Sequence, residues 1–254
     1  MPFAYVNGVN IHHLVHGDGP DSIVFLHGFC QSSRFWETTL EQLPDRYTGY
    51  ALDLRGFGDS EKDKGPYGIP DLADDVLSFA NDLGIERFTL VGNSMGGIVC
   101  QSFATRHGAR LEKLVLVSTG ASVSNSAAAL EKADYMAGME WSRDFFENAV
   151  KGFFAILPED WERHVEPAMN ASREAMVEST RSSASLDFFG AVGAISVPTL
   201  IVQGEKDIGR TPEDGRRLNE AIDNSILHIL PGAGHTPMLE RSDLFHPIFL
   251  DFLK

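Results

Sequence analysis

Cysteine is scarce in this chain. Only Cys30 and Cys100 occur, and two lone thiols in this spacing make neither a disulfide framework nor a metal-ligand pattern. Positive charge is also short: 21 lysines and arginines stand against 36 aspartates and glutamates, for a formal net charge of −15. A field of that sign repels polyphosphate, which argues against nucleic acid and anionic membrane as partners. No apolar run approaches the ~18 residues a bilayer span requires. The N-terminal Met1-Pro2-Phe3-Ala4-Tyr5 lacks the basic and apolar regions of a secretory leader, so a soluble cytoplasmic protein is expected. Internal repeats and low-complexity tracts are missing too, and no signal sets an oligomeric state. What remains, 254 residues that are 43% hydrophobic, is enough to bury one sizeable core.

From residue 3 to about 120, strand-like and helix-like segments alternate. Asp21 to His27 is a near-continuous apolar run, as a strand buried on both faces reads. A helix is expected over Trp36–Leu43, a second buried strand over Tyr50–Leu54, and an amphipathic helix over Asp71–Leu83, introduced by Pro70. Strands follow at Arg87–Val91 and Leu114–Val117. Between about 121 and 190 the strand signals stop, and helix-forming sequence rich in aromatics takes over: Trp141, Phe145, Phe146, Phe153, Phe154, Trp161, Phe188 and Phe189. Strands then return at Pro198–Val202 and Ile226–Leu230, with helices at Pro212–Ile222 and Asp243–Leu253. The pattern predicts an α/β fold: a mostly parallel twisted sheet with helices on both faces, formed by 1–120 and 191–254. A helical cap is inserted over 121–190.

The sharpest local signal is Gly92-Asn93-Ser94-Met95-Gly96, placed after a strand and before a helix-like run. Strand, G-x-S-x-G, helix forces a serine into a strained turn with its hydroxyl exposed. Glycines flank it because a Cβ would clash where the chain doubles back. A serine hydroxyl is a weak nucleophile and needs a base, which in turn needs an orienting carboxylate. In open α/β sheets such groups gather at the carboxyl ends of strands. Past the 198–202 strand stand Glu205 and Asp207, and past the 226–230 strand stands His235.

These pieces resemble the α/β-hydrolase superfamily over essentially the whole chain. The matching segments are His27-Gly28-Phe29, Asp53-Leu54-Arg55-Gly56-Phe57-Gly58-Asp59-Ser60, Gly92-Asn93-Ser94-Met95-Gly96-Gly97, Gly204-Glu205-Lys206-Asp207 and Gly234-His235. The resemblance implies Ser94 as nucleophile, His235 as base and Asp207 as orienting acid. It implies an oxyanion hole made by the backbone N–H groups of Phe29 and Met95. Met95 would open a helix, where unsatisfied donors await an anion. Some members place the acid after the preceding strand, but Ser118-Thr119-Gly120-Ala121-Ser122 holds no carboxylate. Glu205 is the local rival of Asp207.

Other residues draw quieter readings. His27 is expected to support the oxyanion loop through its ring nitrogens. His12, His13 and His16 invite a metal reading, but neighbours in a strand face opposite ways, and no metal is expected. Gly56-Phe57-Gly58 lacks the third glycine of a dinucleotide loop, since Glu61 stands there; no cofactor is expected. Cys30 is expected to line the pocket as a small residue, and the aromatics of 141–189 to form the inner face of the cap, some of them lining the pocket.

A serine at the elbow sets aside the dehalogenase and epoxide-hydrolase chemistries of this superfamily, which use aspartate. Hydrolysis of a small, largely apolar carboxylic ester or lactone is the expected reaction. The elbow also looks like that of carbon–carbon hydrolases acting on aromatic ring-fission products. Those typically carry a tryptophan after the catalytic histidine, where this chain has Thr236. They also carry a cap arginine, and Arg143, Arg163, Arg173 and Arg181 are candidates. A reading of another class is a small-molecule receptor with slow turnover.

Overall fold

Alternating side chains divide each buried strand between two cores. Ile23 and Phe25 pack on one side of the sheet while Val24 and Leu26 pack on the other, and Leu114 and Leu116 oppose Val115 and Val117 in the same way. A one-residue slip in register would exchange the two sets, so the packing of both layers specifies the pairing. The computed structural model describes residues 2–122 and 126–254. Its eight strands are β1 (Phe3–Val6), β2 (Val9–His16), β3 (Asp21–Leu26), β4 (Tyr47–Leu52), β5 (Phe88–Asn93), β6 (Leu111–Val117), β7 (Thr199–Gly204) and β8 (Ser225–Leu230). They form one sheet in the order β1-β2-β4-β3-β5-β6-β7-β8. β1, β2 and β4 join antiparallel, and every other neighbouring pair is parallel.

A 3₁₀ turn at Ser33–Trp36, α1 (Glu37–Leu40), α9 (Pro237–Glu240) and α10 (Ser242–Leu253) cover one face. On the other lie α2 (Ile69–Asp82), α3 (Met95–His107) and α8 (Pro212–Ala221). α2 starts two residues before the predicted boundary: Pro70 occupies its first turn, and Asp71 accepts from the Gly68 N–H at 3.2 Å. The helix predicted over Trp36–Leu43 is instead the 3₁₀ turn followed by the short α1. The Tyr50–Leu54 strand is also displaced. β4 begins at Tyr47, paired with Asp21, and stops at Leu52. Just past it, the Asp53 carboxylate accepts from Ser33 N–H at 2.6 Å, Asp59 N–H at 2.9 Å and His12 Nδ1 of β2 at 2.7 Å, while Asp53 N–H donates to His12 O at 3.0 Å.

Between β6 and β7 lie α4 (Ser126–Gly138), α5 (Arg143–Lys151), α6 (Val165–Met169) and α7 (Arg173–Ser185). An antiparallel bridge, Ser122 with Asp187, sits at the base of this helical stretch. Its side is tied down by Ser172 N–H to Gly56 O at 2.8 Å and Ile69 N–H to Ser182 Oγ at 2.9 Å. Among the described residues, no helix is long and apolar enough to cross a membrane.

Candidate active site

Ser94 occupies the sharp turn between β5 and α3 at φ 52° and ψ −114°. A non-glycine residue there is uncommon, and such strain costs about 1–3 kcal/mol, so it persists only where the surroundings enforce it. Here the backbone is gripped from three directions. Ser94 N–H donates to Val117 O at 2.9 Å, and Ser94 O accepts from Ile98 N–H at 3.1 Å and Thr119 Oγ1 at 2.8 Å. The flanking glycines answer a need for space, since neither has positive φ. A Cβ on Gly92 would stand 2.4 Å from Gly96 O, and one on Gly96 would stand 2.5 Å from Leu26 O.

β7 and β8 deliver the other two groups. His235 Nδ1 and Asp207 Oδ2 are 2.7 Å apart. The second carboxylate oxygen accepts the N–H groups of Gly209 at 2.8 Å and Arg210 at 2.9 Å. This side chain is almost wholly shielded, at 1% exposure against 13% for the imidazole. The rival Glu205 is exposed and faces away, accepting from Gly232 N–H at 3.0 Å. Among the described residues, neither Ser94 Oγ nor His235 Nε2 makes a hydrogen bond. Both border one cavity of about 410 Å³, together with Phe29, Met95 and Asp207. The structure thus brings all five predicted site residues to a single crevice at the carboxyl ends of the strands.

Residues 23–247 match the family described as the Alpha/beta hydrolase family. The chain belongs to it. The 3-oxoadipate enol-lactonase 2 of Acinetobacter baylyi is 26% identical over 229 residues, covering 89% of this chain and 85% of that protein. A 2-hydroxy-6-oxononadienedioate/2-hydroxy-6-oxononatrienedioate hydrolase of Klebsiella pneumoniae is 29% identical over 255 residues, covering 93% and 88%. Among solved structures, the enol-lactonase of Burkholderia xenovorans superposes with a TM-score of 0.92 at 28% identity, covering 99% of both chains. The relatives named for this alpha/beta hydrolase thus include enol-lactonases and a hydrolase of dienedioates.

The loop that carries Phe29 is held by His27, as predicted. Leu54 N–H donates to His27 Nε2 at 3.0 Å, so the ring proton sits on Nδ1 and is donated to Gly28 O at 2.7 Å. Burial pushes this imidazole's pKa down, which keeps it neutral. Gly28 N–H in turn donates to Gln31 Oε1 at 2.7 Å. Cys30 departs from expectation. Its φ of 57° turns the side chain into the core, where it is fully buried and does not line the cavity. Burial raises its thiol to about 12, which removes it as a nucleophile.

Two positioning residues escaped the sequence reading. Asn93, inside the elbow motif, sends Nδ2 to His235 O at 3.0 Å and Val117 O at 3.3 Å, linking the Ser94 turn to the histidine loop. Glu240 gathers that loop further. It accepts from Gly234 and Thr236 N–H, each at 3.1 Å, and from Ala155 N–H at 2.6 Å and Ile156 N–H at 3.0 Å. His235 N–H also donates to Phe153 O at 3.0 Å, so the helical stretch helps to seat the imidazole. Of the eight aromatics marked in the sequence, only Phe153 borders the cavity; Phe146 and Phe188 are buried and the others pack half-buried against the cores. His12 lies with Asp53 and Asp59 close enough to suggest a metal cluster. The Asp53 oxygens are already spent on two backbone N–H groups and the His12 ring, and these donors hold its pKa below the ordinary carboxylate range despite burial. This group is a structural junction beneath the loop.

Proposed function

We propose that this chain hydrolyses a carboxylic ester or lactone through a covalent acyl intermediate, with Ser94 as nucleophile, His235 as base and Asp207 as the orienting acid. The observation that carries this reading is the 2.7 Å contact between His235 Nδ1 and Asp207 Oδ2, set in the cavity that Ser94 borders. The carboxylate fixes the tautomer with its proton on Nδ1, leaving the Nε2 lone pair to take the Ser94 proton. Ser94 Oγ then bonds to the carbonyl carbon, and the oxyanion is received by the N–H groups of Phe29 and Met95. Each such donor contributes about 10²–10³ in rate. Collapse expels the alcohol oxygen with the proton held by His235, and water repeats the sequence to release the acid. The carbonyl carbon leaves as a carboxylic acid and the leaving group as an alcohol, or both remain joined when a lactone ring opens.

Residues 121–190 act as a cap over the core formed by 1–120 and 191–254. Ala129 and Lys132 of α4, Asn148 and Ala149 of α5 and Thr180 and Ser183 of α7 border the cavity opposite Ser94 and support this role. The carbon–carbon alternative has the Klebsiella relative on its side. Against it stands Thr236 in place of the tryptophan, buried with its hydroxyl on Glu240 Oε2 at 3.1 Å. Four cap arginines were candidates to bind a substrate carboxylate. Arg143 and Arg181 instead pair with Glu166 and Asp134, Arg163 with Glu37 and Asp160, and Arg173 donates to backbone carbonyls. Turnover of chromogenic esters and lactones by wild type and Ser94→Ala tests the reading. A fall of more than about 10⁴-fold in kcat with an unchanged melting temperature is expected. Retention of turnover in the variant, or a single stoichiometric burst with no further release in wild type, refutes it; the latter favours a receptor.

A further inference from the structure

Among the described residues, one cation borders the cavity without an anionic partner. Lys132, on α4, borders the same crevice as Ser94 and His235, and its Nζ lies 4.8 Å from the centroid of the Phe29 ring. Among the described residues it makes no hydrogen bond or ion pair. The titratable group that acts on it electrostatically is the Cys30 thiol, which burial keeps protonated and uncharged. The other cavity cation, Arg210, is committed: Nη1 donates to Ser122 O at 2.7 Å, and Asp207 and Asp214 supply its counter-charge. Asp207 is equally occupied, by His235 and two backbone N–H groups. The crevice therefore offers one unneutralised ammonium beside the loop that carries a proposed oxyanion donor, in a chain whose net charge is −15.

We propose that Lys132 receives a carboxylate of the substrate, so that the natural substrate is an ester or lactone bearing a second, ionised carboxyl group. This deepens the hydrolase reading and rests on it. It also adds a charged group to the small, largely apolar substrate expected from the sequence. A monoanion matches the site better than a phosphate ester. One ammonium neutralises one charge, whereas a dianion beside Asp207 would keep a charge unmatched in a partly desolvated crevice. Lys132 is an exposed residue at the cavity edge, and the protein lying against it lowers its pKa by desolvation, a cost that is relieved when an anion enters. Asn148, Thr180 and Ser183, on the same wall, supply neutral hydrogen-bonding partners.

The test compares wild type, Lys132→Met and Lys132→Arg on matched ester pairs. One pair is mono-4-nitrophenyl glutarate against 4-nitrophenyl pentanoate, with the carboxylate on the acyl side. The other is 3-acetoxybenzoate against phenyl acetate, with the carboxylate on the alcohol side. In at least one pair, Lys132→Met is expected to lose tenfold or more in kcat/KM for the anionic ester, through KM, and less than about twofold for the neutral one. Lys132→Arg should keep most of the preference. Equal losses on both members of both pairs, or no loss in either, overturn the proposal. Calorimetric titration of the monoanion monomethyl glutarate into Ser94→Ala, with and without Lys132→Met, separates this outcome from failure of the hydrolase reading. If monomethyl glutarate binding depends on Lys132 although wild type turns over no ester, the hydrolase reading fails and the carboxylate site stands; if monomethyl glutarate binds both variants equally, the site fails.

Discussion

The change Asp207→Asn is isosteric, and the surrounding loop dictates how the amide must lie. Oδ1 accepts two backbone N–H groups, from Gly209 and Arg210. An NH₂ group there would set two hydrogens against two donors, so the asparagine oxygen takes that position. Its NH₂ is then driven to the place of Oδ2, 2.7 Å from His235 Nδ1. With a donor facing it, Nδ1 must be the acceptor and the ring proton moves to Nε2. The nitrogen facing the cavity then has no lone pair with which to receive the Ser94 proton. A tautomer fixed the wrong way costs about 10⁴ in kcat.

Stability should change little, because the two backbone bonds that hold the loop survive. Asp207→Ala differs: it strands three donors in a nearly closed site, at about 1–3 kcal/mol for each left unsatisfied. The assay is kcat on a chromogenic ester together with thermal melting of wild type, Asp207→Asn, Asp207→Ala and Glu205→Gln. Asparagine should silence the enzyme without lowering its melting temperature, alanine should do both, and Glu205→Gln should leave kcat within about twofold. If Asp207→Asn keeps kcat within about tenfold, or if Glu205→Gln is the damaging change, the tautomer reasoning is wrong.

Two further outcomes follow from groups outside the triad. Glu240→Ala removes the acceptor shared by the backbone N–H groups of Ala155, Ile156, Gly234 and Thr236; a loss of about 3 kcal/mol in chemical denaturation is expected, with a lower kcat because His235 rides on that loop, and unchanged values of both would refute the positioning role. His164 is buried against Phe35, with ring centroids 4.1 Å apart, and burial together with Arg163 and Arg34 lowers its pKa from 6.5 to about 4. Between those values the unfolded chain binds a proton that the native one refuses, so native stability is complete above pH 6.5 and declines as pH falls toward 4, by about 3 kcal/mol at 1.36 kcal/mol per pH unit. His164→Phe should flatten that acid limb in denaturation curves taken from pH 7 to pH 4, whereas an unaltered slope would show that the histidine is not buried neutral.

The fold was legible because the inner parallel strands β3, β5, β6 and β7 are largely apolar and buried on both faces, which short segments show when a sheet is covered by helices on two sides. Boundaries were less so. β4 runs three residues earlier than the hydrophobic run suggests, since Tyr47, Thr48 and Gly49 carry the pairing with β3 while Asp53 and Leu54 are claimed by contacts across the chain. Of the candidate site, the residues with a distinctive neighbourhood in sequence were found: Ser94 between its glycines, and Asp207 and His235 just past predicted strands. Asn93 lay inside the motif, but its reach to His235 O spans 142 residues of sequence and has no local signature. Lys132 had none either, being one lysine on a helix whose facing partner is known only once the chain has folded over Phe29.

The same distinction accounts for how strongly the elbow reads. Strain at Ser94 can be held only by atoms from several strands at once: Val117 and Thr119 at the end of β6 grip its backbone, and Leu26 of β3 lies where a Cβ on Gly96 would intrude. Each of these demands leaves a mark on composition, because close approach permits only glycine and an extra backbone acceptor calls for a hydroxyl. Holding the imidazole demands much less of the sequence. Asn93 and Glu240 contribute ordinary side chains that meet backbone groups, and many residue types can meet a backbone group. Strained backbone therefore announces itself locally, while the orientation of His235 is written in tertiary contacts. For this chain, substitutions at Asn93 and Glu240 are accordingly where turnover should fall while the two glycines and the serine of the G-x-S-x-G motif stay intact.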